Sequence, residues 1–138
     1  MKKATILLLI ALGIIVTLNS CNVSTANIAD VKVCESVTDN QCPQDNPMFG
    51  TSTPVIYCSI VVKNAPAETP VTFTWYYQGD SRIKIDAVTI NTPDGGTTFN
   101  MQSSLNIPNN GWPAGVYEVE IALGTDNSEP VVKSFVIE

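Results

Sequence analysis

Residues 109–123 constrain the fold more than any other part of the chain. They begin with Asn-Asn-Gly-Trp-Pro-Ala-Gly, in which glycine and proline favour a tight turn. Tyr117 follows the turn, and apolar and polar residues then alternate through Val119 and Ile121. Such alternation is typical of a strand with one buried face. The stretch therefore predicts a corner that leads into a central strand of an all-β sandwich.

The rest of the chain from residue 30 onwards has the same character. Alternating segments recur at fairly even spacing, turn-forming residues separate them, and no helical periodicity interrupts them. Strands are predicted at 30–37, 54–63, 71–77, 82–91, 97–107, 115–123 and 130–138. Residues 38–53 are predicted as a long loop in which Phe49 packs onto the core. The alternation of the fourth strand shifts by one residue, which predicts a bulge near Asp86 and Ala87.

Two of these segments resemble parts of immunoglobulin-like domains. Trp75 lies in the third predicted strand, as the core tryptophan of such domains does. Residues 113–117, Pro-Ala-Gly-Val-Tyr, resemble the tyrosine corner of immunoglobulin and fibronectin type III domains. The resemblance covers residues 30–138 and implies a seven-stranded, antiparallel, immunoglobulin-like β-sandwich. A fold of this kind is compatible with many functions and selects none of them.

The N-terminus has the composition of a secretory signal. Lys2 and Lys3 precede an apolar run over residues 4–18, which is shorter than the roughly 20 residues that a membrane span needs. The sequence Leu-Asn-Ser-Cys at 18–21 resembles the lipobox of bacterial lipoproteins.

This second resemblance implies a lipid anchor in the bacterial cell envelope. Residues 1–20 would be a cleaved signal peptide, Cys21 would carry the lipid that holds the protein on the membrane, and residues 21–29 would be a tether. Asn22 follows the cysteine where an aspartate would favour inner-membrane retention, so the outer membrane or the cell surface is the expected location.

Charge and composition narrow the function further. Cleavage would leave 118 of the 138 residues, enough for one domain. It would also remove two lysines and take the formal net charge from −6 to −8. Such a surface repels nucleic acid, so no nucleic-acid partner is predicted. The chain has no histidine, the usual general base and the commonest transition-metal ligand. We therefore predict that the protein is not an enzyme and has no cofactor and no metal site.

Three cysteines remain beyond the anchor, and strand phase distinguishes them. Cys58 shares its face with Ile56 and Ile60, so a buried position in the core is predicted. Cys34 and Cys42 are then left as an exposed pair that can form a disulfide, which an exported protein can keep. A Cys34–Cys58 bridge is the alternative.

Exposed aromatic residues are the candidate binding residues. Tyr57 and Tyr76 are predicted to face outward from their strands, and Trp112 lies in the turn, where it either packs over the end of the core or meets a ligand. The sequence thus predicts a non-catalytic, lipid-anchored binding or structural module for protein partners. The alternative is a carbohydrate-binding surface lipoprotein that uses Trp112, Tyr57 or Tyr76.

Overall fold

The structure, a computed structural model, describes residues 25–125 and 128–138. The predicted signal peptide, the predicted lipidation site Cys21 and residues 22–24 of the predicted tether lie outside these ranges. All regular structure in the described ranges is β-strand, and no helix there is long and apolar enough to cross a membrane. The strands are β1 (Asn27–Cys34), β2 (Met48–Phe49), β3 (Val55–Lys63), β4 (Pro70–Gln78), β5 (Arg82–Asn91), β6 (Phe99–Asn106), β7 (Gly115–Leu123) and β8 (Val131–Ile137).

The strands form two sheets packed as a sandwich, so the all-β sandwich prediction is confirmed. One sheet has three strands in the order β1-β3-β6, and the other has five in the order β2-β8-β7-β4-β5. The seven predicted strands correspond to β1 and to β3 through β8. The first strand begins at Asn27, within the stretch that the sequence assigned to the tether.

The prediction of seven antiparallel strands is wrong about β2. This eighth strand has two residues, Met48 and Phe49, and it pairs in parallel with the end of β8. The sequence placed both residues in a loop because two residues carry no alternation. Phe49 packs edge-on against Phe135, with ring centroids 5.6 Å apart, and is 3% exposed. Burial of this ring holds the loop beside β8 and allows β2 to pair with β8.

Side chains of β4 and β7 form the centre of the core. Phe73 and Trp75 on β4 are buried, as are Val119 and Ile121, their register partners on β7. The Trp75 indole N–H donates a hydrogen bond of 3.1 Å to the hydroxyl of Ser103 on β6. This bond joins the two sheets and satisfies a polar group that burial would otherwise leave unpaired.

The predicted bulge in β5 is present. Trp75 pairs with Asp86 and Tyr76 pairs with Lys84, so Ile85 is the extra residue in β5. The position differs by one residue from the predicted one. The apolar residues on both sides of the bulge can therefore face the same way although their spacing in the sequence changes phase.

The disulfide between Cys34 and Cys42 is confirmed, and Cys58 is a free, buried thiol. The prediction that the disulfide pair is exposed is wrong, because both cysteines are less than a tenth exposed. The loop folds back against β3, where the Cys42 amide donates to the Ser59 hydroxyl at 2.9 Å. Gln41 donates from its side-chain amide to the carbonyl of Ile60 at 2.9 Å. Loop and sheet thus cover the disulfide between them.

Substitution of Trp75 by alanine tests the assignment of the core. We expect Trp75→Ala to lower the free energy of unfolding by roughly 3–5 kcal/mol, because it leaves a large cavity and removes the bond to Ser103. Urea denaturation followed by circular dichroism measures this change. Tyr76→Ala, on the opposite face of the same strand, is the control and should have a smaller effect. Equal midpoints for the wild type and Trp75→Ala would contradict the assignment.

Candidate functional site

The corner before β7 is held by two tyrosine hydroxyls. Tyr117 donates to the carbonyl of Pro113 at 2.7 Å, and Tyr77 donates to the carbonyl of Ala114 at 3.2 Å. Gly115 has a positive φ of 146°, and a Cβ there would lie 2.9 Å from the Tyr77 ring. Glycine is therefore required at this position by both the backbone and the close approach of the ring. The corner fixes where β7 begins.

The structure places Trp112, the first candidate binding residue, inside the corner. It is 4% exposed, and its indole N–H donates to the carbonyl of Thr53 at 2.6 Å. Its ring meets Tyr117 edge-on, with centroids 6.0 Å apart. The sequence left two positions open for this ring, either packed over the end of the core or in contact with a ligand, and the structure shows the packed position. Part of the ring still forms the wall of an apolar cavity.

The other two candidates lie on opposite outer surfaces of the sandwich. Tyr57 pairs with Cys34 and with Ser104 on the outer face of the three-stranded sheet. Tyr76 lies on the outer face of the five-stranded sheet, where the Arg82 guanidinium lies 3.6 Å from its ring centroid. Both tyrosines are half-buried. The structure therefore does not bring Trp112, Tyr57 and Tyr76 together into one surface for a sugar.

Arg82 also forms ion pairs with the two carboxylates on the outer face of β7, Glu118 and Glu120. Its guanidinium lies 3.2 Å from Glu118 and 3.0 Å from Glu120. All three side chains are partly exposed to solvent, so the ion pairs contribute little to stability. The single positive charge of Arg82 offsets part of the charge of the two carboxylates, and its guanidinium covers one side of Tyr76. It does not have the form of a carboxylate pair that faces a substrate cavity.

Strand β5 has an exposed apolar surface that the sequence does not reveal. It is the free edge of the five-stranded sheet, and all ten of its residues are exposed. Four large aliphatic side chains on it are between 37% and 52% exposed. We call them the β5 aliphatic row: Ile83, Ile85, Val88 and Ile90.

The β5 aliphatic row points in the same direction as the core. Ile90 pairs with Val71, Val88 with Phe73, and Ile83 with Tyr77. Paired residues of an antiparallel ladder project to the same side of a sheet. Val71 and Phe73 are fully buried under the three-stranded sheet, whereas their neighbours on β5 are not. The five-stranded sheet therefore extends one strand beyond the sheet that covers it.

An opening runs between β5 and β6, the free edge of the three-stranded sheet. We call it the β5–β6 opening; the β5 aliphatic row lines one side and the edge of β6 the other. One cavity, of about 260 Å³, lies at the Ile90 end and also touches Asn91 and Met101. A second, of about 180 Å³, lies at the Ile85 end. It is lined by Tyr77, Ile85, Pro108, Trp112, Pro113 and Tyr117.

The phase shift in β5 is a sequence feature of this site, but it does not reveal that the β5 aliphatic row is exposed. The shift by itself predicts a bulge in the strand. A sequence pattern shows which residues share a face but not whether an opposite strand covers that face. That depends on the number of strands in each sheet, which here are five and three.

The described residues contain no group of three or more aspartate, glutamate, cysteine or histidine side chains that could hold a metal ion. Among them, Cys58 is a free thiol whose pKa is raised by burial to about 12. A thiol that keeps its proton at neutral pH is a poor nucleophile. Its role in the structure is to fill space in the core.

Comparison with known proteins yields a distant likeness of fold. No protein family matches the sequence, and no curated protein matches it. Among the solved structures that match is the Pseudomonas fluorescens alkylpurine DNA glycosylase AlkC, bound to DNA that contains an abasic site analog. The identity is 14% and the TM-score 0.48, over 81% of this chain and 30% of that one. This chain thus spans less than a third of the length of its neighbour.

The comparison corrects two predictions. The neighbour is an enzyme that was solved with DNA bound, whereas the sequence analysis predicted no enzyme and excluded nucleic acid from the partners. Both predictions are withdrawn. A likeness at this identity and TM-score supports no argument for catalysis or for DNA binding by this chain.

Removal of the Tyr117 hydroxyl tests how much its hydrogen bond to Pro113 stabilises the corner. We expect Tyr117→Phe to lower the free energy of unfolding by about 1 kcal/mol, because the Pro113 carbonyl loses its donor in a partly buried position. Tyr77→Phe is the matched control: its bond to Ala114 is longer and exposed, so its loss should have a smaller effect. Chemical denaturation of both variants measures the difference, and a larger loss for Tyr77→Phe would contradict this account.

The same tyrosine predicts a loss of stability in alkali. Burial, with the neighbouring Tyr77, raises the pKa of Tyr117 to about 12, from an ordinary value of about 10. The unfolded chain thus loses this proton at lower pH than the folded protein, and stability falls as the pH rises from about 10 towards 12. We expect Tyr117→Phe to reduce this fall. Both proteins should carry Cys58→Ala, since that thiol titrates in the same range. Equal pH dependence of the two proteins would contradict the prediction.

Proposed function

We propose that this protein is a binding module that takes up an extended segment of a protein partner in the β5–β6 opening. The segment adds to the free edge of β6 as a strand and covers the β5 aliphatic row. The single observation that carries the proposal is that row, in which four aliphatic side chains lie on the core-facing side of a sheet and no strand within residues 25–125 and 128–138 lies opposite them.

Two contributions favour such a segment over a small ligand. Full burial of a Val or Ile side chain from water stabilises by roughly 1.5–3 kcal/mol, and these side chains are already half-covered, so about 1 kcal/mol each remains. The edge of β6 offers backbone N–H and C=O groups that an added strand can pair with. Each such hydrogen bond adds about 1 kcal/mol. An extended peptide uses both contributions at once.

We further propose that the sandwich is of the immunoglobulin-like kind and that the protein is a lipid-anchored lipoprotein of a bacterial cell envelope. The bond from Tyr117 to Pro113 and the central Trp75 support the first statement. The lipobox-like sequence at 18–21 supports the second. An anchored domain with one open side is suited to hold a partner at the membrane.

Photocrosslinking in intact cells tests the proposed docking site. A photoreactive amino acid at Ile85 and, in a second variant, at Ser104 on β6 should each yield one discrete adduct. Mass spectrometry should assign both adducts to the same short segment of one partner, because a strand in the opening contacts β5 and β6 together. Val132, 49% exposed on β8, is the matched control position and should yield no such adduct.

Disruption of the opening completes this test. Val88→Asp should abolish the adduct from position 85, because a carboxylate would then replace part of the apolar surface. Circular dichroism checks that this variant is folded. An adduct of equal yield from position 132, or adducts on unrelated segments from 85 and 104, would contradict the proposal.

Replacement of Cys21 tests the anchor. The Cys21→Ala protein cannot form the lipid thioether, so it should move from the membrane and detergent phase to the soluble fraction. Phase partitioning with Triton X-114 measures this distribution, and Cys58→Ala is the control that should leave it unchanged. Unchanged detergent partitioning of Cys21→Ala would contradict the lipoprotein proposal.

A further inference from the structure

We infer that the segment bound in the β5–β6 opening carries a basic side chain opposite Asp86, with apolar side chains on either side of it. This inference rests on the proposed docking of a protein segment and adds the chemistry of the partner. It follows from the position of one exposed carboxylate within the β5 aliphatic row.

Asp86 faces the opening. It pairs with Trp75, whose ring is buried in the core, so both side chains project from the same side of the five-stranded sheet. In the sequence it lies between Ile85 and Val88, two members of the row. A strand that covers these aliphatic residues therefore also covers this carboxylate.

The described part of the chain supplies no cation to Asp86. One of its carboxylate oxygens accepts a hydrogen bond of 2.8 Å from the Ala87 amide, and no salt bridge to it is present there. Arg82 is engaged by two glutamates on the other face of the sheet. Lys84 pairs with Tyr76 and so belongs to that other face as well.

Burial of this carboxylate without a partner would oppose docking. An unpaired charge in an apolar interface has a large desolvation cost, whereas a paired and hydrogen-bonded one does not. The two layers of a sandwich lie about 10 Å apart, so only a long side chain can cross the gap to Asp86. Lysine and arginine have that length, and their aliphatic stems can lie along Ile85 and Val88.

Charge also argues against a second copy of this chain as the occupant. If two openings closed on each other about a two-fold axis along β5, each Asp86 would face its own symmetry mate. The chain as a whole carries a net charge of −6, which adds repulsion at longer range. A foreign segment with the pattern apolar-x-basic-x-apolar satisfies both the row and the carboxylate.

Two synthetic peptides test this inference on the chain without residues 1–20. Both have the form Thr-Val-Thr-Xaa-Thr-Val-Thr with blocked ends, where Xaa is lysine in one and glutamate in the other. Titration into ¹⁵N-labelled protein, followed through the backbone amides of β6, gives the affinity of each. We expect the lysine peptide to bind about fivefold more tightly than the glutamate peptide, with the difference decreasing as salt is added.

Variants of Asp86 assign this preference to one group. Asp86→Asn keeps a side-chain oxygen for the Ala87 amide and should make the two affinities equal, and Asp86→Lys should reverse the order. Asp80→Asn, in the turn between β4 and β5, is the matched control and should keep the wild-type preference.

The outcomes separate the inference from the proposal on which it rests. If both peptides shift the β6 amides equally in the wild-type protein, strand docking stands and the basic partner is excluded. If the preference survives Asp86→Asn, it arises elsewhere and the role of Asp86 is wrong. If neither peptide shifts any β6 amide, docking of a strand in the opening is wrong, and the inference fails with it.

Discussion

The position of Tyr117 is the constraint on which the rest of the sandwich depends. Its hydroxyl is bound to the carbonyl of Pro113, and its ring stacks on Phe135 with centroids 5.4 Å apart. Phe135 in turn meets Trp75 and Phe49 edge-on. Directly and through Phe135, Tyr117 thus links the corner to the central strands β4 and β7 and to the short β2. Because Tyr117 has one position that satisfies all of these contacts, β7 enters the sheet in a single register.

The two long sides of the sandwich differ in how far their edge strands are covered. On one side β1 lies against β8, and the loop after β1 ties them together. Asp45 of that loop accepts hydrogen bonds from the Val33 amide at 3.0 Å and from Lys133 at 2.5 Å. On the other side β5 and β6 are the free edges of their sheets, and no other strand of the described residues pairs with those edges. This difference gives the molecule one side on which a partner can extend a sheet.

The sequence predicted the long strands because their alternation is regular. The predicted bounds of β5 and β7 agree with the structure, and so do the buried phases of Trp75 and Cys58. Features that depend on contacts distant in sequence were not predictable. The two residues of β2 have no period, the disulfide is covered by a loop whose path the sequence does not reveal, and the exposure of the β5 aliphatic row depends on how many strands lie in the opposite sheet.

The bulge at Ile85 has a consequence for how the free edge behaves in a crowded environment. A flat, regular edge strand can pair with the same strand of another molecule and so begin a fibre. The extra residue interrupts the even spacing of backbone groups along β5, and the carboxylate of Asp86 beside it discourages an identical neighbour. Both features therefore disfavour edge-to-edge pairing of β5 between copies of this protein.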